Sequence, residues 1–131
     1  YRSIPDLAHN FVLQAVFETQ PASPQEMEQR LEEARAKRKL TQPVGASAGC
    51  IFKNPEEIPA GRLIDELGLK NACVGDACVS DVHANFIINR GHARARDITI
   101  LIDMIRKEAM ENRGIDLKSE AQVIGDREPQ F

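Results

Sequence analysis

Between Asp97 and Asn112 the apolar residues Ile98, Leu101, Ile102, Ile105 and Ala109 fall at i, i+3, i+4, i+7 and i+11. That spacing lines one face of an α-helix, because a turn takes about 3.6 residues. Gly114 follows as the residue that ends it in the left-handed region. A helix with one apolar stripe has to lay that stripe on another element. The rest of the chain must therefore supply a surface. With 131 residues, 42% hydrophobic and 28% charged, it is long enough for one domain with a core.

The remaining segments suggest what that surface is. Phe11 to Thr19 is rich in aromatic and β-branched residues and predicts a strand. Ser23-Pro24-Gln25-Glu26 predicts a helix start, with Ser23 as cap, Pro24 in the first helical position and Glu26 reaching back. The helix runs to about Lys39 and carries only a narrow stripe of Met27, Leu31 and Ala34. Gln42 to Gly49 is a run of mostly small residues without a period. It leads into Cys50-Ile51-Phe52, an apolar run stopped by Asn54-Pro55. Pro59 to Leu67 predicts a short helix ended by Gly68, while Ala72 to Val79, Asn85 to Asn89 and Glu120 to Ile124 predict strands. Strands interleaved with about three helices give an α+β layer fold.

Composition removes several functions. Net charge is -3, without the basic surplus that a nucleic-acid binder needs. No apolar run approaches the roughly 20 residues that span a bilayer, so no membrane partner is expected. The N-terminus has no signal-peptide pattern, and the chain opens at Tyr1 rather than Met, as a fragment or processed product would. The cysteines Cys50, Cys73 and Cys78 are odd in number and irregularly spaced, which predicts reduced thiols rather than a disulfide framework. Cys73 and Cys78 are too far apart for a zinc knuckle, and no metal is expected.

Taken alone, the motifs are sparse. There is no glycine-rich dinucleotide fingerprint, P-loop, nucleophile elbow or HExxH. The feature above background is a small-residue loop that delivers the Cys50 thiol next to Lys53 and Asn54. Such a thiol can serve a reaction, although a Cys after a Gly more often packs as a small core residue. Arg90, His92, Arg94 and Arg96 form a basic cluster that could hold a phosphate, but such runs more commonly face water.

Several segments in one order carry more information. Ser47-Ala48-Gly49-Cys50-Ile51-Phe52-Lys53-Asn54-Pro55 resembles the signature of the UDP-N-acetylenolpyruvoylglucosamine reductase family. Ala60-Gly61-Arg62-Leu63-Ile64, Val74-Gly75-Asp76 with Val79-Ser80, and His83-Ala84-Asn85-Phe86-Ile87-Ile88-Asn89 resemble further family segments. So do Gly114-Ile115-Asp116-Leu117 with Glu120, Val123, Ile124 and Gly125, together with Tyr1-Arg2-Ser3 and Gln42-Pro43 upstream. The resemblance covers essentially the whole chain and implies the family's C-terminal, substrate-binding portion, with a small mixed sheet.

On that resemblance, residues 1–22 are the trailing strand of an absent N-terminal flavin-binding region, and residues 23–131 are the substrate-binding domain. The short link from Asn54 to Ala60 resembles the compact family type. The implied reaction is NADPH-dependent, FAD-mediated reduction of UDP-N-acetylglucosamine enolpyruvate to UDP-N-acetylmuramate, in peptidoglycan synthesis in the bacterial cytoplasm. The family's proton-donating serine falls on Cys50. This is a departure, but a thiol with an ordinary pKa of about 8.5 is a competent acid, and a weakened enzyme is the other reading. The catalytic glutamate falls on Glu120, whose plainer reading is an exposed strand-end carboxylate. Diphosphate contacts fall on Tyr1, Asn54, His83 and the Arg38-Lys39 pair, with Arg38 favoured. His83 could equally be a satisfied strand histidine. The alternative function is a non-catalytic nucleotide-sugar binding module. The chain alone is expected to be inactive and to bind no FAD. Purified by itself it should show no flavin absorbance, and a stoichiometric yellow cofactor would overturn that expectation.

Overall fold

The structure is a computed structural model, and it describes residues 10–124. The helix that opened the sequence argument is present as a 19-residue element, Ala95–Arg113. It buries Leu101, Ile102, Ile105 and Ala109, the expected face, while Ile98 packs partly buried against the same core. Asp97 accepts a hydrogen bond from the Arg94 N–H (2.8 Å) at its start. Gly114, with φ 67°, ends it.

In chain order the elements are α1 (Pro24–Thr41), β1 (Ala46–Cys50), α2 (Ala60–Glu66), β2 (Cys73–Val74), β3 (Ala77–Val79), β4 (Phe86–Asn89) and α3 (Ala95–Arg113). The strands form one sheet in the order β1-β4-β3-β2. This is the expected α+β layer fold, with one refinement. Every pairing is antiparallel, so the sheet is not mixed. Residues of β3, β4, α2 and α3 meet in one core with Ile51, Phe52 and Leu117, and these side chains are almost wholly removed from water. Burying a side chain of this size contributes about 1.5–3 kcal/mol.

The chain divides after Glu33 into two units. In the first, the helix start is as expected. The Glu26 carboxylate accepts from the Ser23 N–H (2.9 Å) and hydroxyl (3.0 Å), while the Ser23 hydroxyl oxygen accepts from the Glu26 N–H (3.2 Å). Those bonds hold the Glu26 carboxyl below its usual pKa. The strand expected at Phe11 to Thr19 is absent, because residues 10–23 adopt neither helix nor strand. β-propensity needs a ladder and a covered face to act on. Phe11 and Leu13 are instead 94% and 96% exposed.

The second unit corrects four expectations. The small-residue run is not a loop: Ala46 to Cys50 pairs with β4, Ala46 opposite Asn89 and Ser47 opposite Ile88. Small side chains show no alternation, so only the partner strand reveals this one. Ala72 to Val79 is not one strand but a hairpin, folded at Gly75-Asp76 between the paired Val74 and Ala77. Gly75 has φ 54°, which suits the first central position of a two-residue hairpin turn. That turn puts Cys73 directly opposite Cys78, Cα atoms 4.1 Å apart, and they form a disulfide rather than reduced thiols. A bridge across so short a loop removes less closure entropy than one across a long loop. Finally, Glu120 to Ile124 is no strand: an isolated bridge joins the preceding Ser119 to Phe52, and the Glu120 and Ala121 N–H groups meet the Ile51 carbonyl.

The segment leading to that bridge is tied down by Asp116. Its carboxylate accepts from Lys118 and from Arg106 of α3, and these bonds, Lys118 first, hold its pKa below the ordinary range. A lowered carboxylate pKa means the tether is complete above the unfolded value of about 3.9 and is lost as pH falls through the native one. Amide exchange at Glu120, corrected for its intrinsic pH dependence, should accelerate only in that acid window. Asp116→Asn should produce the same acceleration at neutral pH, and an unchanged rate would show that the tether does not hold this segment.

Candidate functional site

The segment 51–54 is the spine of the site. In an antiparallel ladder, alternate residues turn their peptide groups to opposite sides. On one side, the Ile51 carbonyl accepts from the Glu120 N–H (2.7 Å), and the Lys53 N–H donates to the Lys118 carbonyl (2.9 Å). On the other side, Phe52 presents its N–H and carbonyl to the side chain of Asn85. The Asn85 Oδ1 accepts from the Phe52 N–H (2.9 Å), and its Nδ2 donates to the Phe52 carbonyl (2.8 Å). Asn85 is 2% exposed. Its carbonyl also accepts from the Ile51 N–H (2.9 Å).

Four of the expected site residues converge on this spine. Cys50 is half-buried at the end of β1, just past a register irregularity between Ser47 and Cys50 that includes Gly49 at φ 80°. Glu120 is half-buried on the facing segment, anchored through the residue that follows Cys50, and its carboxylate makes no ion pair among the described residues. Asn54 is exposed and uses Oδ1 to accept the Ala60 N–H (3.0 Å) at the start of α2, which leaves Nδ2 as its donor. His83 lies beside the same helix. A methyl group on Gly61 would come within 2.8 Å of its ring.

His83 is also held in one role. Its Nδ1 accepts the Asn85 N–H (3.2 Å), which leaves Nε2 as the ring's other polar atom. The ring packs edge-on against Phe86, with centroids 5.0 Å apart. The backbone entering it is gripped by the buried Ser80, whose hydroxyl oxygen accepts from the Val82 (3.1 Å) and His83 (3.2 Å) N–H groups. So His83 is a satisfied histidine through Nδ1, yet one with a second polar atom.

Two expected residues do not join the cluster. Tyr1 lies outside the described residues. Arg38 sits in the last turn of α1, where its Nε donates to Gln42 (2.9 Å) beside Arg35 and Lys39 in a shallow cleft of about 280 Å³. The basic run Arg90, His92, Arg94 and Arg96 is exposed along its length, as the solvated reading expects, and only Arg90 carries a side-chain bond, to Asn71 (3.4 Å). Asn85, Ser80 and Ser119 escaped the sequence reading of the site. The Ser119 hydroxyl donates to the Ile51 carbonyl (3.4 Å). No short-range pattern marks Asn85 or Ser119, because Asn85 bonds Phe52, 33 positions away, and Ser119 bonds Ile51, 68 positions away. No group of three or more His, Cys, Asp or Glu able to hold a metal occurs among the described residues, and no helix there is long and apolar enough to cross a membrane.

Together, these contacts set Cys50 and Glu120 on facing segments, with Asn54 and His83 beside the start of α2. Such an arrangement can deliver a proton and bind polar oxygens. Residues 39–124 match the family model described as UDP-N-acetylenolpyruvoylglucosamine reductase, C-terminal domain. A curated reductase of that name from Syntrophobacter fumaroxidans is 42% identical over 95% of this chain, and one from Chloroflexus aurantiacus is 45% identical over 86%. The chain spans 36% and 38% of their respective lengths. The crystal structure of UDP-N-acetylenolpyruvylglucosamine reductase from Thermus caldophilus superimposes with a TM-score of 0.67 at 43% identity, covering 79% of this chain and 36% of that one.

Gly61→Ala should push the His83 ring off its Asn85 contact while leaving the core intact. The expected result is a changed ¹⁵N shift at His83 Nδ1 with little change in melting temperature. An unmoved His83 signal would mean that the ring is not confined by α2.

Proposed function

The chain belongs to the UDP-N-acetylenolpyruvoylglucosamine reductase family, as its C-terminal domain, and from that premise we propose that it is the substrate-binding and proton-donating part of an oxidoreductase acting on UDP-N-acetylglucosamine enolpyruvate. The product would be UDP-N-acetylmuramate, in peptidoglycan synthesis in the bacterial cytoplasm. The observation that carries this reading is the Ile51 carbonyl. It takes the Glu120 N–H in the residue next to Cys50, and so sets the acid and the carboxylate on facing segments.

Two clefts among the described residues have volumes of about 160 and 280 Å³, below the roughly 300 Å³ at which small-molecule pockets begin. FAD and NADPH are proposed to be held by an N-terminal region, with residues 1–22 as its trailing segment and residues 23–131 as the substrate domain. Hydride supply belongs to that region.

What this chain contributes is proton transfer and binding. When hydride adds to the enolpyruvyl β-carbon, charge develops at the α-carbon and spreads into the adjacent carboxylate. The Cys50 Sγ–H gives its proton to the α-carbon. Glu120 stabilises the enol form that shares this charge. The Asn54 Nδ2 and His83 Nε2 donors bind the diphosphate. Tyr1 and Arg38 would complete the diphosphate contacts.

In the full-length protein, Cys50→Ala should leave flavin reduction by NADPH unchanged and slow reoxidation by the enolpyruvyl substrate about 10²–10⁴-fold, the range a general acid supplies. Cys50→Ser should restore much of that loss, since a hydroxyl also carries a proton. Glu120→Gln should likewise impair only the substrate half-reaction. Stopped-flow flavin absorbance separates the two halves. If Cys50→Ala is as fast as wild type, proton delivery lies elsewhere. Substrate binding without any turnover in the full-length protein would favour a non-catalytic nucleotide-sugar module.

A further inference from the structure

We propose that Asn85 is the positioning residue of this reaction, acting on the acid through the backbone; the inference rests on the reading of Cys50 and Glu120 given above. Residues 51–53 run beside the segment 118–120, joined by an isolated antiparallel bridge between Phe52 and Ser119. On the other side stands Asn85, with its backbone carbonyl on the Ile51 N–H and its side chain on Phe52. The carboxamide of Asn85 presents a donor and an acceptor side by side and closes both bonds of the Phe52 peptide groups, at 2.8 and 2.9 Å. It does the work of a missing strand in one residue.

Asparagine suits the position chemically. Serine is too short to reach both groups. Glutamine is one methylene longer than the fit. A carboxylate would accept from the Phe52 N–H but repel the Phe52 carbonyl. The residue is buried, so no water can substitute cheaply for a missing partner. Its backbone extends the same control in two directions. The Asn85 carbonyl takes the Ile51 N–H, and the Asn85 N–H donates to the His83 Nδ1. The Ile51 peptide is thus fixed from both sides, by Asn85 at its N–H and by Glu120 at its carbonyl. That peptide begins where Cys50 ends. Asn85 therefore holds the segments that carry the thiol, the carboxylate and the histidine in one frame through its bonds to Ile51, Phe52 and His83.

The test uses the full-length protein and both half-reactions. Asn85→Ser, measured at saturating substrate, should slow flavin reoxidation about tenfold to a hundredfold, the scale of a misplaced catalytic group. NADPH reduction of the flavin should stay within about twofold, as for any change confined to the other half-reaction. In a Cys50→Ala background the same substitution should cost little more than Cys50→Ala alone, since a residue that acts through Cys50 has nothing left to position.

Asn85→Asp supplies a second readout should Asn85→Ser fail to fold. When protonated, the introduced carboxyl offers one donor and one acceptor and restores both Phe52 bonds. Reoxidation by this variant, relative to wild type, should rise as pH falls. A flat ratio would overturn the positioning role. So would full additivity with Cys50→Ala, or equal damage to both half-reactions, which would mark Asn85 as a packing residue only. A Cys50→Ala protein as fast as wild type would instead overturn the underlying assignment of the proton donor, and this proposal with it.

Discussion

The bond pair between the Asn85 carboxamide and the Phe52 peptide groups is the constraint on which the site's architecture depends. A buried amide left unsatisfied costs about 1–3 kcal/mol, so a carboxamide in this position dictates the path of whatever backbone it meets. Here it meets the chain between β1 and α2. With Phe52 held, its side chain fills the core and the chain leaves toward Asn54, which then receives the first N–H of α2. The orientation of α2 follows, and with it the close approach of Gly61 to His83. A small number of long-range polar contacts thus translate a packed core into a positioned site.

The charged surface does much less. Arg62 and Arg113 both reach Glu66, joining α2 to α3, and Lys70 pairs with Asp65. All of these groups are partly or largely exposed, and such pairs are each worth about 0–1 kcal/mol. They select a geometry more than they stabilise it. Asp116 is the informative case. It contributes little to global stability, yet it ties the segment bearing Glu120 to α3 through Arg106. The stability of the second unit comes from the apolar layer between the sheet and the helices. The precision of its site comes from backbone pairing to Ile51 and Phe52.

What the sequence made legible follows from the range of the interactions involved. α3 could be read to within a few residues, since its stripe, its Asp97 start and its Gly114 stop are all local. The Ser23 and Glu26 cap was legible for the same reason. β1 was not, because Ala46, Ser47 and Ala48 have no alternation to detect and owe their strand to Ile88 and Asn89. The disulfide was hidden behind the missed turn at Gly75-Asp76. Sequence spacing alone sets Cys73 and Cys78 five residues apart, and only the folded hairpin puts them opposite each other. Cys50, Asn54, His83 and Glu120 were reached by family resemblance, and the fold does bring them together. Arg38 was reached the same way, but its side chain bonds Gln42, the residue just past the end of its own helix. Asn85 lay in plain view inside one of the quoted segments. Its importance depends on a partner 33 residues away, which no local pattern encodes.

Three contacts bear on how the proposed site would bind a ligand. Asn54 commits its oxygen to Ala60, His83 commits Nδ1 to Asn85, and Glu120 commits its N–H to Ile51. Asn54 and His83 each keep a second polar atom beyond the bonded one. Ordering them is a cost met in folding, so a ligand does not have to meet it on binding. Preorganised donors also stabilise developing charge more effectively than mobile ones, because nothing must turn toward the charge as it forms.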